Sequence, residues 1–325
     1  MKWIPVNIIL VFVSLLIVIS CCELIVRLFI PVRSVGSSFT VYDPIYGKSL
    51  KKNFSTVRNT PEFIMRLSTN SYGFRGKEPP FFPFRPILFL GDSFTMGHGV
   101  NDGEEFPALI RDSLAEQYGP HEIPVVNTGM GDNGNGRWIK FLRLEGKAYT
   151  PRLIVLQLLE NDFWDNVNER LFELSEHNDL MELPVQPISK IRTVQNFVDK
   201  VPFINNSYLF GLINQARWLL EQKSSASISS MDKDDLTYRL LEEVISICNS
   251  EHWPMLVLIV GIDGQRLKKL QLLLEEEKVL SLRVPGLKDR PDLYYMTDGH
   301  WNKKGHSYVA ELIMRKLPEY QLVAD

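Results

Sequence analysis

The apolar positions of the chain fall into two kinds of run. Short unbroken runs occur at 85–91 (RPILFLG), 123–129 (IPVVNTG), 151–162 (PRLIVLQLLEND) and 253–261 (WPMLVLIVG). Runs of this length, closed by Gly or by polar residues, are the pattern of strands buried on both faces. Between and after them, apolar residues recur at helical spacing over 104–119, 135–149, 234–250, 264–278 and 302–317. Buried strands alternating with amphipathic helices predict a three-layer α/β/α sandwich around a central parallel sheet.

The alternation lapses in two stretches. The lead-in segment, 34–84, is mixed and rich in Ser, Gly, Pro and Asn, and its STNSYGFRGKEPP piece reads as loop. The second stretch, about 163–232, is polar and irregular. A connection of that length is usually functional or a small subdomain, and it is expected here as a cap over the carboxyl edge of the sheet. The main domain is then 85–325, with the cap inserted into it.

Residues 1–33 form a separate unit. An uncharged, strongly apolar run extends from Ile8 to Cys22, with Lys2 before it and Arg27 and Arg33 after it. With its flanks it approaches the ~20 residues needed to span a bilayer. The leading expectation is a retained signal anchor with the main domain outside the cytoplasm, in the periplasm or at the cell surface. A cleaved signal peptide is the next reading, and VISC at 18–21 resembles a lipoprotein box with Cys21 as the lipidated residue. A buried helix of the main domain is the third.

Composition narrows the function classes. The chain has 325 residues, 45% hydrophobic and 23% charged, and a net charge of −3. No Lys/Arg stripe is present to neutralise phosphates, so no nucleic-acid partner is expected. Cys248 is the one thiol outside the N-terminal run, and there is no C-x-x-C or His/Cys cluster. An internal disulfide is therefore excluded from the main domain, and no metal or cofactor is expected.

In open parallel sheets the active crevice lies beyond the carboxyl ends of the strands. Gly91, Asp92 and Ser93 follow the first apolar run, and Asn127, Gly129, Gly131 and Asp132 the second. Glu160, Asn161 and Asp162 close the third, and MTDGHWNKKGH, with Asp298 and His300, precedes the last helix. A serine, glycine amides, a carboxamide and an Asp/His pair make up the inventory for acyl transfer through a serine.

These four ordered blocks resemble the SGNH (GDSL-type) hydrolase superfamily. Gly91-Asp92-Ser93 matches its first block, and Gly131-Asp132 its second, with Gly129 as the alternative glycine. The third block reads Leu159-Glu160-Asn161-Asp162, so its usual glycine is missing and its Asn remains. The last is Asp298-Gly299-His300, shorter than the usual D-x-x-H, in the D-x-H-W-N form of membrane-associated and alginate-acetylating branches. The resemblance covers roughly 68–317. It implies a flavodoxin-like sandwich with Ser93 as nucleophile, His300 as base and Asp298 as its orienting acid. The oxyanion donors it implies are the N–H groups of Ser93 and Gly131 and the Asn161 side chain. The expected activity is that of a serine esterase on an acyl ester of a glycan or lipid, plausibly O-acetyl groups of an envelope glycan. An O-acyltransferase with the same triad and a non-catalytic glycan-binding or assembly subunit are the alternatives. The G-x-S-x-G elbow of α/β-hydrolases is absent, since 91–95 read GDSFT.

Neighbouring residues carry quieter expectations. Asp92 is expected to bond backbone N–H groups of its turn, Asp162 and Asp165 to be turn residues, and His306 to be structural. Trp301 is expected to pack the loop of His300, and His98 is only near enough to line the pocket.

Overall fold

The computed structural model describes residues 6–30, 32, 35, 38–79, 85–119, 123–186, 201–225 and 230–322. Helix α1 (Val6–Phe29) is followed by two antiparallel hairpins, β1–β2 (Thr40–Asp43, Gly47–Leu50) and β3–β4 (Ser55–Asn59, Ile64–Ser68). The lead-in segment, read above as mixed sequence with loop, thus contains two hairpins. Their strands are short, and in β3 exposed and half-buried positions alternate without a buried one, which left a weak apolar signal.

The main sheet has five parallel strands: β5 (Ile87–Leu90), β6 (Val125–Asn127), β7 (Leu153–Leu159), β10 (Met255–Val260) and β11 (Leu280–Val284). Its order is β11-β10-β7-β5-β6, which is the flavodoxin-like order. Four of these strands coincide with the apolar runs. The fifth, β11, was not marked by the pattern, because as an edge strand it buries only Leu282 and Val284.

Period-two alternation divides the core between the two faces. Leu88, Leu90, Ile154, Leu156, Val257 and Ile259 face α4 (Asn135–Phe141) and α9 (Ser230–Ser250). Ile87, Phe89, Val155, Leu256 and Leu258 face α3 (Phe106–Tyr118) and α11 (Lys303–Met314). Burying each such side chain contributes roughly 1.5–3 kcal/mol, so the two faces lock the register of every central strand. After α4 a π turn leads into α5 (Lys147–Tyr149), and α10 (Gly264–Glu276) joins β10 to β11.

The long polar stretch carries α6 (Asp162–Glu169), a small hairpin β8–β9 (Phe172–Leu174, Leu180–Glu182), α7 (Pro202–Asn205) and α8 (Tyr208–Ser225). Part of the expected cap, 187–200, lies outside the described residues. The start of α8 meets the end of α1. The Glu23 carboxylate accepts from Ser207 Oγ (2.7 Å) and from the N–H groups of Tyr208 (2.8 Å) and Leu209 (2.9 Å). Arg27 lies over the Tyr208 ring, and Val26 packs beside Leu209 and Leu212. Helix α1 is long and apolar enough to cross a membrane, and its apolar side chains are otherwise exposed.

The hairpins pack a small apolar cluster, Phe39, Leu50, Phe63, Met65 and Leu67, against Met96 and Met130 of the main domain. Arg75, just after β4, binds the same region. Its fully buried guanidinium donates to the carbonyls of Met96 (3.0 Å), Gly97 (2.5 Å), Val100 (2.7 Å) and Arg66 (3.2 Å) and to Asp102 (3.0 Å). Its backbone also bridges to Asn127 on the edge strand β6. Arg75→Ala should cost about 3–5 kcal/mol, because it leaves these carbonyls and the buried Glu105 without their cation. Urea unfolding of the purified variant reads that loss directly.

Candidate active site

The turn after β5 is built residue by residue. A Cβ on Gly91 would lie 2.2 Å from Thr95 Oγ1 and 2.7 Å from Gln157 Oε1, so only glycine fits at the strand end. Asp92 caps the four-residue helix α2 (Ser93–Met96), its carboxylate accepting from the Phe94 N–H at 2.9 Å. Gln157 fixes the turn from the middle of β7, accepting from Thr95 Oγ1 at 2.9 Å and from the Asp92 N–H at 3.3 Å. The capping is thus done by Asp92, and the Ser93 hydroxyl is left for another partner.

That partner is His300. Ser93 Oγ lies 2.7 Å from His300 Nε2, and His300 Nδ1 lies 2.5 Å from Asp298 Oδ1. Burial would raise the Asp298 carboxyl, but its hydrogen bond to His300 and the nearby His98 ring outweigh that and hold it well below the usual carboxylate range. An ionised Asp298 can only accept, so Nδ1–H donates to it and Nε2 is free to accept the Ser93 O–H.

The short D-G-H loop depends on local geometry. Gly299 has φ +87°, the left-handed region, and this sharp bend lets Asp298 and His300 face each other across one residue. Trp301 is fully buried and sets its edge on Phe94 at 4.8 Å, and Phe94 in turn packs on the His300 ring at 4.8 Å. Asn302 caps α11 through the N–H groups of Lys304 and Gly305 and donates to the carbonyls of Asp292 and Tyr294. His306 is buried and accepts from the Phe106 N–H at 3.2 Å, a structural contact between α11 and α3.

The two candidate glycines have different surroundings. A Cβ on Gly129 would lie 2.3 Å from the Met96 N, so this residue is pressed against the backbone of α2. A Cβ on Gly131 would lie 3.5 Å from Ser93 Cβ, an ordinary contact. Asn127 holds the loop by donating to Thr95 O (2.9 Å) and accepting from the Gly129 N–H (3.0 Å). Lys48 of β2 donates to the carbonyl of Asp132, whose own φ is +53°.

Asn161 sits at the start of α6 and its Nδ2 donates to Asp165 at 2.8 Å and to Asp92 at 3.3 Å. Its Oδ1 is buried without a hydrogen-bond partner. An oxyanion would have to replace the longer of the two carboxylate contacts. Burial raises the pKa values of Asp92 and Asp162, and the Asp92 charge adds to the rise of Asp162. Burial, with the charges of Asp132 and Asp92, pushes Asp165 up to about 8. Burial also pushes Glu169 up to about 7, against the pull of Lys48 and Arg137.

His98 was the residue that the sequence undervalued. Its Nε2 is 3.7 Å from Asp298 Oδ2 and its ring centroid is 4.6 Å from that of His300. Burial holds it down at about 4, so it meets Asp298 as a neutral ring. Among the described residues, His98, Asp298 and His300 also form a group whose ligand atoms lie within 4.8 Å, spacing that a metal ion would accept. In this arrangement the two His300 nitrogens are turned to Ser93 and Asp298. A separate cavity of about 300 Å³ is lined by Asn70, Phe74, Pro107 and Arg111 among others, and not by Ser93, Asp298 or His300.

No family model matches the sequence, and no curated protein matches it. Solved structures similar in architecture include a G-D-S-L family protein from Desulfitobacterium hafniense DCB-2, 12% identical, with a TM-score of 0.38 over 71% of this chain and 99% of that one. An acetyl xylan esterase is 13% identical, with a TM-score of 0.45 over 71% and 99% of the two chains. An acetylxylan esterase from Geobacillus stearothermophilus, solved as a catalytic mutant, is 15% identical, with a TM-score of 0.45 over 74% and 97%. In its parallel sheet and in the order of its blocks, this chain resembles the SGNH hydrolases.

Two expectations follow from this geometry. Gly129→Ala should lower the melting temperature sharply, whereas Gly131→Ala should melt close to wild type, as a thermal scan of both would show. The second concerns pH. The folded protein keeps the Asp165 proton up to about pH 8, while the unfolded chain releases it near ~4. Stability should therefore fall as pH rises between those limits. Asp165→Asn, whose amide oxygen can still accept from Asn161, should flatten that fall in urea melts from pH 5 to 9.

Proposed function

We propose that the protein is a serine ester hydrolase of the SGNH type. The observation that carries the reading is the continuous relay Asp298–His300–Ser93, at 2.5 and 2.7 Å. Ser93 Oγ attacks the acyl carbonyl as its proton passes to His300 Nε2, and Asp298 steadies the imidazolium. The tetrahedral oxyanion is held by the N–H groups of Ser93 and Gly131 and by Asn161, each such donor worth roughly 3–4 kcal/mol of barrier. Collapse breaks the ester C–O bond, His300 returns its proton to the leaving alkoxide, and an acyl–Ser93 ester remains. Water, activated by the same base, then releases the acid.

The substrate is an acyl ester, and the resemblance of the D-G-H-W-N block to envelope-linked branches favours acetyl groups on a glycan. Transfer to an acceptor hydroxyl would start from the same acyl-enzyme. Helix α1 acts in this reading as an anchor that keeps the domain at an extracytoplasmic membrane face, a role its length and exposed apolar surface support. The relay counts against a purely binding role, which needs no base aligned on a serine.

The test uses full-length protein in detergent. A fluorophosphonate probe should label wild type and not Ser93→Ala, and p-nitrophenyl acetate turnover should fall at least about 10³-fold in Ser93→Ala and His300→Ala. No labelling, or turnover unchanged in Ser93→Ala, would refute the hydrolase reading.

A further inference from the structure

The acid of the relay sits on an irregular loop that has to be held from outside. The loop has few bonds of its own: the Tyr295 N–H donates to the His300 carbonyl at 2.8 Å and the Gly299 N–H to the Tyr295 carbonyl at 2.9 Å. Neither reaches the backbone N–H groups of Thr297 and Asp298. Those are bound by the lead-in segment. The Glu62 carboxylate, in the turn between β3 and β4, accepts from the Thr297 N–H (2.9 and 3.0 Å) and from the Asp298 N–H (2.7 Å).

The next residue strengthens the contact. Phe63 is buried, its ring 4.8 Å from that of Tyr295 and edge-on to His98 at 5.4 Å. Tyr295 donates its hydroxyl to the Gly99 carbonyl at 3.0 Å, tying the acid loop to the loop after the nucleophile. Two adjacent residues of this turn therefore touch the backbone that carries Asp298 and the ring that meets Asp298 Oδ2.

We propose that Glu62 is a positioning residue of the hydrolase: by binding the Thr297 and Asp298 N–H groups it sets the Asp298 carboxylate against His300. The proposal rests on the hydrolase reading above. Glu62 touches no reacting atom, and its effect passes through Asp298. Because a carboxylate accepts with two oxygens, it holds both N–H groups at once, and charge-assisted bonds of this kind are short and strong. A misplaced acid leaves the imidazole poorly oriented in the transition state while substrate contacts persist.

The experiment compares Glu62→Ala and Glu62→Gln in the full-length protein, with p-nitrophenyl acetate. In Glu62→Ala, kcat should fall about 10- to 100-fold with KM nearly unchanged. Glu62→Gln keeps one accepting oxygen and should recover part of that loss. A kcat for Glu62→Ala within about twofold of wild type, or a loss that Gln does not relieve, overturns the proposal. If wild type shows no Ser93-dependent turnover, the hydrolase reading fails, and a second readout still decides the role of Glu62. The low-field proton NMR signal of the His300–Asp298 hydrogen bond, assigned with His300→Ala, should shift or broaden in Glu62→Ala. An unchanged signal overturns the positioning role.

Discussion

The structure depends on one buried guanidinium. Arg75 has no solvent to fall back on, so each of its donors needs an acceptor inside the protein. Those acceptors come from the end of α2, the loop behind it and the β3–β4 hairpin, with Glu105 at the start of α3 as a second carboxylate beside it. Helix α2 has four residues, too few to satisfy its own last carbonyls. Arg75 supplies the donors that a longer helix would have supplied. A Cβ on Gly97 would lie 2.7 Å from Arg75 Nη1 and 2.4 Å from Glu105 Cβ, which shows how closely the helix end is drawn onto the guanidinium. The turn that carries Ser93 is bonded at both ends, at its start by Gln157 to the Asp92 N–H and at its end by Asn127 to the Thr95 carbonyl and by Arg75 to those of Met96 and Gly97.

The same logic extends to the other loops of the site. The lead-in segment reaches three of the four through different side chains: Arg75 holds the loop after Ser93, Lys48 binds the carbonyl of Asp132, and Glu62 binds the amides beside Asp298. Each contact pairs a charged side chain with the backbone of an irregular loop, where no helix or strand partner exists. Met96 and Met130 add an apolar seal between the hairpins and the site. The parallel sheet brings the strand ends together, and the hairpins fix the loops that leave them.

Much of this was legible in the sequence. The central strands declared themselves because both faces are buried, and the candidate site residues because they stand on the loops that leave the strand ends or precede the last helix. Ser93 and His300 stand 207 residues apart in the chain and meet at 2.7 Å in the fold, with Asp298 on the far side of the imidazole. What was hidden has a common cause. β11 and the hairpins are partly solvated, so their apolar pattern is short and broken. Gln157 interrupts an otherwise apolar strand, and that single polar residue was the one local sign of its role. Glu62, Lys48, Arg75 and His98 act across long sequence separations, and nothing in their own neighbourhoods distinguishes them from surface charges or a pocket-lining ring.

The two flanks of Ser93 differ in charge for a physical reason. On the His300 side, Asp298 is held well below the usual carboxylate range because His300 bonds one of its oxygens and the His98 ring stands near the other. On the Asn161 side, Asp92, Asp162 and Asp165 lie close together, and burial raises the pKa of each, with the charge of Asp92 adding to the rise of Asp162 and Asp165. Burial acts on both flanks: at Asp298 the imidazole contact outweighs it, and at Asp165 it prevails, which is why the folded protein should lose stability as pH rises toward 8.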